Sequence, residues 1–134
     1  ERAYDFSGKH ILLAEDHPMN QEIAKYILEN VGFTVHIADN GRIACKRFAA
    51  SEENYYAAVI LDIRMPVMDG LEAARTIRSM VRPDAASVPL IAMSANAFEE
   101  DISKSLASGI NAHLTKPIDP DQLFKTLAEY IPSL

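Results

Sequence analysis

Short apolar runs alternate with amphipathic segments along the whole chain. Ile11 to Ala14, Thr34 to Ala38, Ala57 to Leu61, Leu90 to Met93 and Ala112 to Leu114 predict five buried strands. The segments between them carry a helical period. Met19, Ile23, Ile27 and Val31 recur at spacings of four, with Ala24 and Leu28 beside them, while Gln21, Glu22, Lys25 and Glu29 fall on other faces. Pro18 stands where a first helical turn tolerates it. Asn40-Gly41 opens a second helix, with Ile43, Ala44 and Phe48 inward. Leu71, Ala74, Ile77 and Val81 mark a third, and Phe98, Ile102 and Leu106 a fourth that Gly109 ends. Leu123, Leu127 and Ile131 mark a fifth. This alternation predicts a doubly wound α/β domain, a mostly parallel sheet with helices on both faces. Val81 to Val88, containing Pro83-Asp84-Ala85-Ala86-Ser87, is expected as one extended surface loop.

Composition narrows the function classes. A chain of 134 residues with 49% hydrophobic content suits one domain with one buried core. The net charge of -6, with acids scattered along the chain, supplies no basic stripe for a phosphate backbone, so no nucleic-acid contact is expected. With Cys45 as the single cysteine, an intramolecular disulfide is impossible. Neither a bilayer-length apolar run nor a signal-peptide pattern is present, which predicts a cytoplasmic module without direct membrane contact. The chain starts without methionine, so it is expected to be a piece of a longer protein, with residues 1–8 as a linker remnant and 9–134 as the domain.

The chemistry sits at the strand ends. Glu15 and Asp16 follow the first strand, Asp62 ends the third, Ser94 the fourth, and Lys116 lies beyond the fifth. Parallel α/β sheets bind ligands at those carboxyl ends, near the point where strand order reverses. Mg2+ is a hard cation that takes carboxylate and phosphate oxygens. Asp16 and Asp62 suit direct ligation, and Glu15 a contact through water. Three clustered carboxylates disfavour joint ionisation unless a cation joins them. A carboxylate is also a covalent phosphoryl acceptor, and the metal, the Lys116 ammonium and the Ser94 hydroxyl supply positioning and charge. Plainer roles compete: Asp16 as a helix cap, Asp69 before Gly70 as a cap or turn, and Arg75, Arg78 and Arg82 as a solvated face. His10, His17, His36 and His113 show no zinc spacing, and Tyr55, Tyr56 and Tyr130 are expected to do nothing beyond packing or surface contact. A phosphatase with an aspartyl nucleophile would want a second Asp two residues on, where Arg64 stands. A nucleotide or flavin binder would want a Gly-rich or Ser/Thr-rich first loop, which here begins Glu15-Asp16.

The runs Leu13-Ala14-Glu15-Asp16-His17-Pro18-Met19-Asn20, Asp62-Ile63-Arg64-Met65-Pro66-Val67-Met68-Asp69-Gly70, Ile91-Ala92-Met93-Ser94-Ala95 and Leu114-Thr115-Lys116-Pro117-Ile118 together resemble the receiver domain of two-component response regulators, from Lys9 to Ile131. In style the chain is most similar to receivers of hybrid sensor histidine kinases. The resemblance implies a flavodoxin-like five-stranded sheet in the order 2-1-3-4-5 with five helices. It also implies Asp62 as phosphoacceptor, Glu15 and Asp16 as the acidic pair, the Arg64 carbonyl as a further Mg2+ ligand, and Ser94 and Lys116 as partners of the phosphoryl group. Further implications are a cis bond at Lys116-Pro117 and a phosphohistidine donor, either a kinase dimerisation domain or a histidine phosphotransfer domain. Such a domain would catalyse its own phosphorylation and dephosphorylation without being a free-standing enzyme. The edge around Met19, Asn20 and Ile23 is expected to meet the donor. A stand-alone response regulator is the alternative, and a non-phosphorylated docking module is less favoured. His113 replaces the family's usual Tyr or Phe, so a weaker rearrangement on phosphorylation is expected; Arg64 and Asn96 hold positions that in the family influence acyl-phosphate lifetime.

Overall fold

The computed structural model describes residues 4–95 and 99–132. The order of elements is β1 (His10–Ala14), α1 (Pro18–Glu29), β2 (Thr34–Ala38), α2 (Gly41–Ala50), β3 (Tyr56–Asp62), α3 (Gly70–Arg78), β4 (Leu90–Ser94), α4 (Glu99–Ala107), β5 (Ala112–Thr115) and α5 (Pro120–Tyr130). All strand pairings are parallel, in the order β2-β1-β3-β4-β5. This is the doubly wound arrangement expected, and it reverses direction between β1 and β3.

Alternation along each strand divides the core into two layers. Ile11, Leu13, Ile60, Ile91 and Met93 face one side, where Ala24 and Leu28 of α1 and Leu123 and Leu127 of α5 cover them. Leu12, Ala14, Val59, Leu61, Leu90 and Ala92 face the other, under Ala44 and Phe48 of α2 and Ala73 and Ile77 of α3. Central strands buried on both faces need apolar residues throughout, which is why the strand segments read as unbroken hydrophobic runs. Phe6 is fully buried in the first layer, its ring stacked 4.6 Å from Phe33.

Several faces differ from the pattern in the sequence. Helix α1 rests on the sheet through Ala24 and Leu28, leaving Met19 and Ile23 66% and 48% exposed. Helix α3 stops at Arg78, and Val81 beyond it is fully solvated. In α4, Leu106 is exposed while Ser105 is buried, together with Ser108 just past the helix. The inward side of α4 meets polar neighbours: Ser108 Oγ accepts from Arg75 at 3.0 Å, and Ser105 lies beside His113. Phe98 lies outside the described residues. Tyr55 and Tyr56 do more than pack, since their hydroxyls lie 3.4 and 3.3 Å from the two ring nitrogens of His36.

The arginines expected as a solvated face are structural. Arg78 donates to the carbonyls of Gly109, Ala85 and Val88 and to the Asn111 side chain, tying α3 to the turns before β4 and β5. Arg82 stacks on Phe48 at 4.5 Å and donates to the carbonyls of Phe48 and Glu52. It also grips Asp84 with two bonds, at 2.6 and 3.0 Å. The segment between α3 and β4 is therefore not an open loop: Pro83–Ala85 forms a 3-10 turn with Asp84 and Ala85 buried. Burial pushes the pKa of the Cys45 thiol up to about 11, which keeps it protonated and unreactive, as befits a packing residue.

Two local devices place the end of β3. Asp69 caps α3 by accepting from the Glu72 N–H at 2.8 Å, and the Gly70 N–H donates to the Ile63 carbonyl at 2.9 Å. A Cβ at position 70 would run into the Asp62 carbonyl, so only glycine lets α3 start this close to the strand end.

Burial opposes the charge of Asp84, but Arg82 and the Asn54 N–H outweigh it and hold its carboxyl below the ordinary value. A group whose pKa falls on folding stabilises the native state above its unfolded value of 3.8, and loses that contribution as pH falls through the folded value. Asp84→Asn is expected to lower the unfolding free energy at neutral pH by about 2–4 kcal/mol in urea melts, because it strands Arg82. The gap to wild type should close as pH drops below 3.8; a gap that stays constant would contradict this account.

Candidate functional site

The register of the sheet sets three chain ends side by side. Ala14 pairs with Leu61, so Glu15 emerges next to Asp62. Ser94 pairs with Thr115, and the Lys116 N–H donates to the Ser94 carbonyl at 2.7 Å, which starts the lysine from the mouth of the same sheet. Its Nζ donates to Glu15 Oε1 at 3.0 Å and to Asp62 Oδ2 at 2.9 Å. The Lys116-Pro117 bond is cis, as expected.

Glu15 and Asp62 are 1% and 4% exposed, so both depend on these partners. Glu15 Oε2 accepts from the His17 N–H at 3.0 Å, and Asp62 Oδ1 accepts from the Arg64 N–H at 3.3 Å. Burial raises the Asp62 carboxyl, the neighbouring Glu15 charge adds to the rise, and Lys116 only partly offsets them. For Glu15 the balance goes the other way: burial also raises it, but the His17 N–H and Lys116 outweigh that and leave it lowered. Burial works against the charge on Lys116, yet its two carboxylate partners raise its pKa.

Asp16 is exposed and completes the cluster: one oxygen from each of Glu15, Asp16 and Asp62 lies within 4.8 Å of the others. It does not cap α1, whose N-cap is His17 without a side-chain bond. Three carboxylates against one ammonium leave two negative charges uncompensated, and the donor set is all oxygen. Both features fit a hard divalent cation. Among the described residues this is the group of His, Cys, Asp and Glu side chains placed to hold a metal ion, and no histidine joins it.

The wall beside Asp62 is the β3–α3 loop. Val67 has φ of 69°, and the Met68 N–H donates back to the Pro66 carbonyl at 2.7 Å, a three-residue turn in a costly region for a β-branched residue. An open cleft of about 530 Å³ runs along this loop between Asp16, Arg64, Met65 and Lys104. Arg64 lines it with an exposed side chain. Asn96 lies outside the described residues.

One supporting residue, Gln21, is not marked in the sequence, and His113, marked there only as a departure from the family's Tyr or Phe, gains a contact. Gln21 on α1 donates to the Glu15 carbonyl at 2.6 Å and to Asp39 at 2.9 Å, tying the acidic β1–α1 loop to the end of β2; no local signal distinguishes it from other surface glutamines. His113 lies with Nε2 2.7 Å from Ser94 Oγ and Nδ1 3.4 Å from Ser105 Oγ, so the hydroxyl does have a ring partner at this position.

Known proteins share this arrangement. The response regulator receiver domain family matches residues 11–128. Hybrid signal transduction histidine kinase I of Dictyostelium discoideum is 36% identical over 119 residues, covering 87% of this chain, which spans 7% of that protein. The receiver domain of a sensor histidine kinase from Pseudomonas aeruginosa, crystallised with a magnesium ion coordinated in its active-site cleft, superposes with a TM-score of 0.83 at 34% identity, covering 92% of this chain and 98% of that one. The co-crystal structure of the Saccharomyces cerevisiae histidine phosphotransfer signaling protein Ypd1 with the receiver domain of its downstream response regulator Ssk1 matches with a TM-score of 0.84 at 28% identity, covering 96% of this chain and 91% of that one. On the family match across most of its length, with the sheet order and the acid, acid and lysine site behind it, the chain belongs to the response regulator receiver domain family.

Proposed function

We propose that Asp62 accepts a phosphoryl group from a phosphohistidine on a partner protein, with Mg2+ held by Asp16, Asp62 and the Arg64 carbonyl and reached by Glu15 through water. The observation that carries this reading is the Lys116 ammonium, set 2.9 Å from Asp62 and 3.0 Å from Glu15 at the carboxyl end of the sheet. In the transfer, an Asp62 oxygen attacks phosphorus in line with the departing imidazole. The P–O bond forms as the P–N bond breaks, and the leaving nitrogen keeps the electron pair. Lys116 is within reach of both the carboxylate and the new phosphoryl oxygens. Ser94 offers a hydroxyl at the neighbouring strand end. A bound Mg2+ supplies charge neutralisation for the carboxylates and the incoming phosphate. Hydrolysis would follow by water attack on the same phosphorus.

The donor is a kinase dimerisation domain or a histidine phosphotransfer domain, and the parent protein is a hybrid histidine kinase at the cytoplasmic side of the cell. The kinase relative, of which this chain spans a small part, and the phosphotransfer complex support that assignment. Among the described residues no helix is long and apolar enough to cross a membrane. The docking face is the overhanging start of α1, where Met19, Ile23 and Tyr26 are exposed at 66%, 48% and 68%. Ile23 and Asn20 share a small pocket with Glu15, Lys116, Pro117 and Ile118, so this apolar lip is continuous with the charged site.

Intact mass spectrometry after incubation with acetyl phosphate is expected to show one added phosphoryl group that requires Mg2+ and disappears in Asp62→Asn. An unmodified wild type in the presence of Mg2+, or modification that persists in Asp62→Asn, would refute Asp62 as the acceptor. Ile23→Glu is expected to slow transfer from a phosphohistidine donor at least about tenfold, since it buries a charge in the contact, while leaving labelling by acetyl phosphate within about twofold. Equal donor rates in the two proteins would remove α1 from the docking face.

A further inference from the structure

The segment before β1 is fastened to the domain. Phe6 is fully buried in the layer that holds Leu28, Val31 and Phe33. Its N–H donates to the Val31 carbonyl at 2.7 Å, and its carbonyl accepts from the Lys9 N–H at 3.1 Å, closing a turn over Ser7 and Gly8. Gly32 lets the segment pass the end of α1, since a Cβ there would lie 2.7 Å from the Ser7 nitrogen. The first residues of a domain stay ordered only where such ties hold them.

Four rings form a ladder across the face made by α1 and α5. Phe33, just ahead of β2, stacks on Phe6 at 4.6 Å, and Phe6 stacks on Tyr4 at 6.0 Å, with 9° between the planes in each pair. Tyr4 then meets Phe124 of α5 at 5.9 Å. Helix α5 starts after the carboxyl end of β5 and returns until the Tyr130 hydroxyl donates to the Asn111 carbonyl ahead of that strand. Phe124 therefore belongs to the half of α5 nearer the acidic cluster, and the ladder climbs from the amino ends of the strands toward it.

We propose that the surface between α1 and α5 is built to seat the chain's own residues 4–8, which form an aromatic strap of the domain and not a linker. The joint to the preceding chain then lies ahead of Tyr4. A linker ending at Lys9 would put that joint at the amino end of β1, opposite the strand ends that carry the acids. With the strap seated, the preceding chain meets the domain on the α1–α5 face, which also carries Ile23 and Ile118 beside Glu15 and Lys116. Swivelling at Lys9 would require pulling Phe6 out of the core, so an upstream domain is oriented by the strap. The strap stands independently of the reading of Asp62 as phosphoacceptor.

The test joins amide hydrogen exchange of the full chain, read by NMR, with urea melts of variants. The Phe6 N–H is expected to exchange at least about a hundredfold more slowly than in an unfolded peptide, because it opens only when the strap leaves its seat. Faster exchange overturns the proposal. Phe6→Ala should raise the unfolding equilibrium constant at least about a hundredfold, as truncation of a core aromatic does; a smaller effect would place Phe6 outside the cooperative unit and overturn it too. Should Phe6→Ala fail to fold, the half-buried pair of Tyr4 and Phe124 carries the comparison. Tyr4→Ala and Phe124→Ala, singly and together, are expected to be non-additive by at least about twofold in that constant, the worth of one aromatic pair. Additive effects would mean that the strap does not reach α5, and the ladder falls. Acetyl phosphate labelling decides the role of Asp62 separately, whichever way the strap result goes.

Discussion

One ammonium shared between two buried carboxylates is the constraint around which this molecule is arranged. Lys116 lies 101 residues from Glu15 and 54 from Asp62, yet its Nζ reaches both at hydrogen-bond distance. Buried carboxylates are costly unless paired and hydrogen-bonded, and a single positive charge cannot fully satisfy the cluster. Burial pushes the Asp62 carboxyl up, and the His17 N–H and Lys116 hold that of Glu15 down. A site left short of positive charge in this way favours a divalent cation, whose charge would also offset that of a phosphoryl group brought beside the carboxylates. Replacing the cluster with apolar side chains would favour stability and remove the chemistry, which places the constraint in function.

The scaffold delivers that cluster through backbone register. Parallel pairing of β1 with β3 and of β4 with β5 brings Glu15, Asp62 and Lys116 to one edge of the sheet. Gly70 lets α3 begin against the Asp62 backbone, and Gln21 fastens the acidic loop from the other side. Away from the site, arginines perform the work that apolar contacts perform elsewhere. Arg78 and Arg82 collect backbone carbonyls from the end of α2 and from the turns around β4 and β5, and so hold the segments flanking β4. The α4 side contributes polar contacts through Ser105, Ser108 and His113.

Much of this is legible in the sequence. Strand and helix alternation follows from side-chain period, and both layers of the core were visible as unbroken apolar runs at strands buried on two faces. The acids at the ends of β1 and β3 and the lysine after β5 stood out because charges that directly follow buried strands need partners. Reading faces was less successful. Met19, Ile23 and Leu106 share a helical period with buried neighbours, but period states only that a face is apolar. It does not state how far the sheet extends beneath that face, or whether a partner protein is meant to cover it. Arg78 and Arg82 failed for a related reason: a guanidinium on a helix is solvated by default, and only the convergence of carbonyls from distant turns makes it a structural post.

The sequence by itself determined the elements, their order along the chain and the inventory of chemical groups, because backbone propensity and hydrophobic period act over a few residues. Tertiary structure alone decided which of those groups share a bond. The meeting of Lys116 with Glu15 and Asp62, the grip of Arg82 on Asp84 and the contact of His113 with Ser94 all depend on separations of an ångström or so between atoms brought together by strand register and helix packing. Hydrogen bonds and charges are decided at that distance, and no spacing along a chain encodes it.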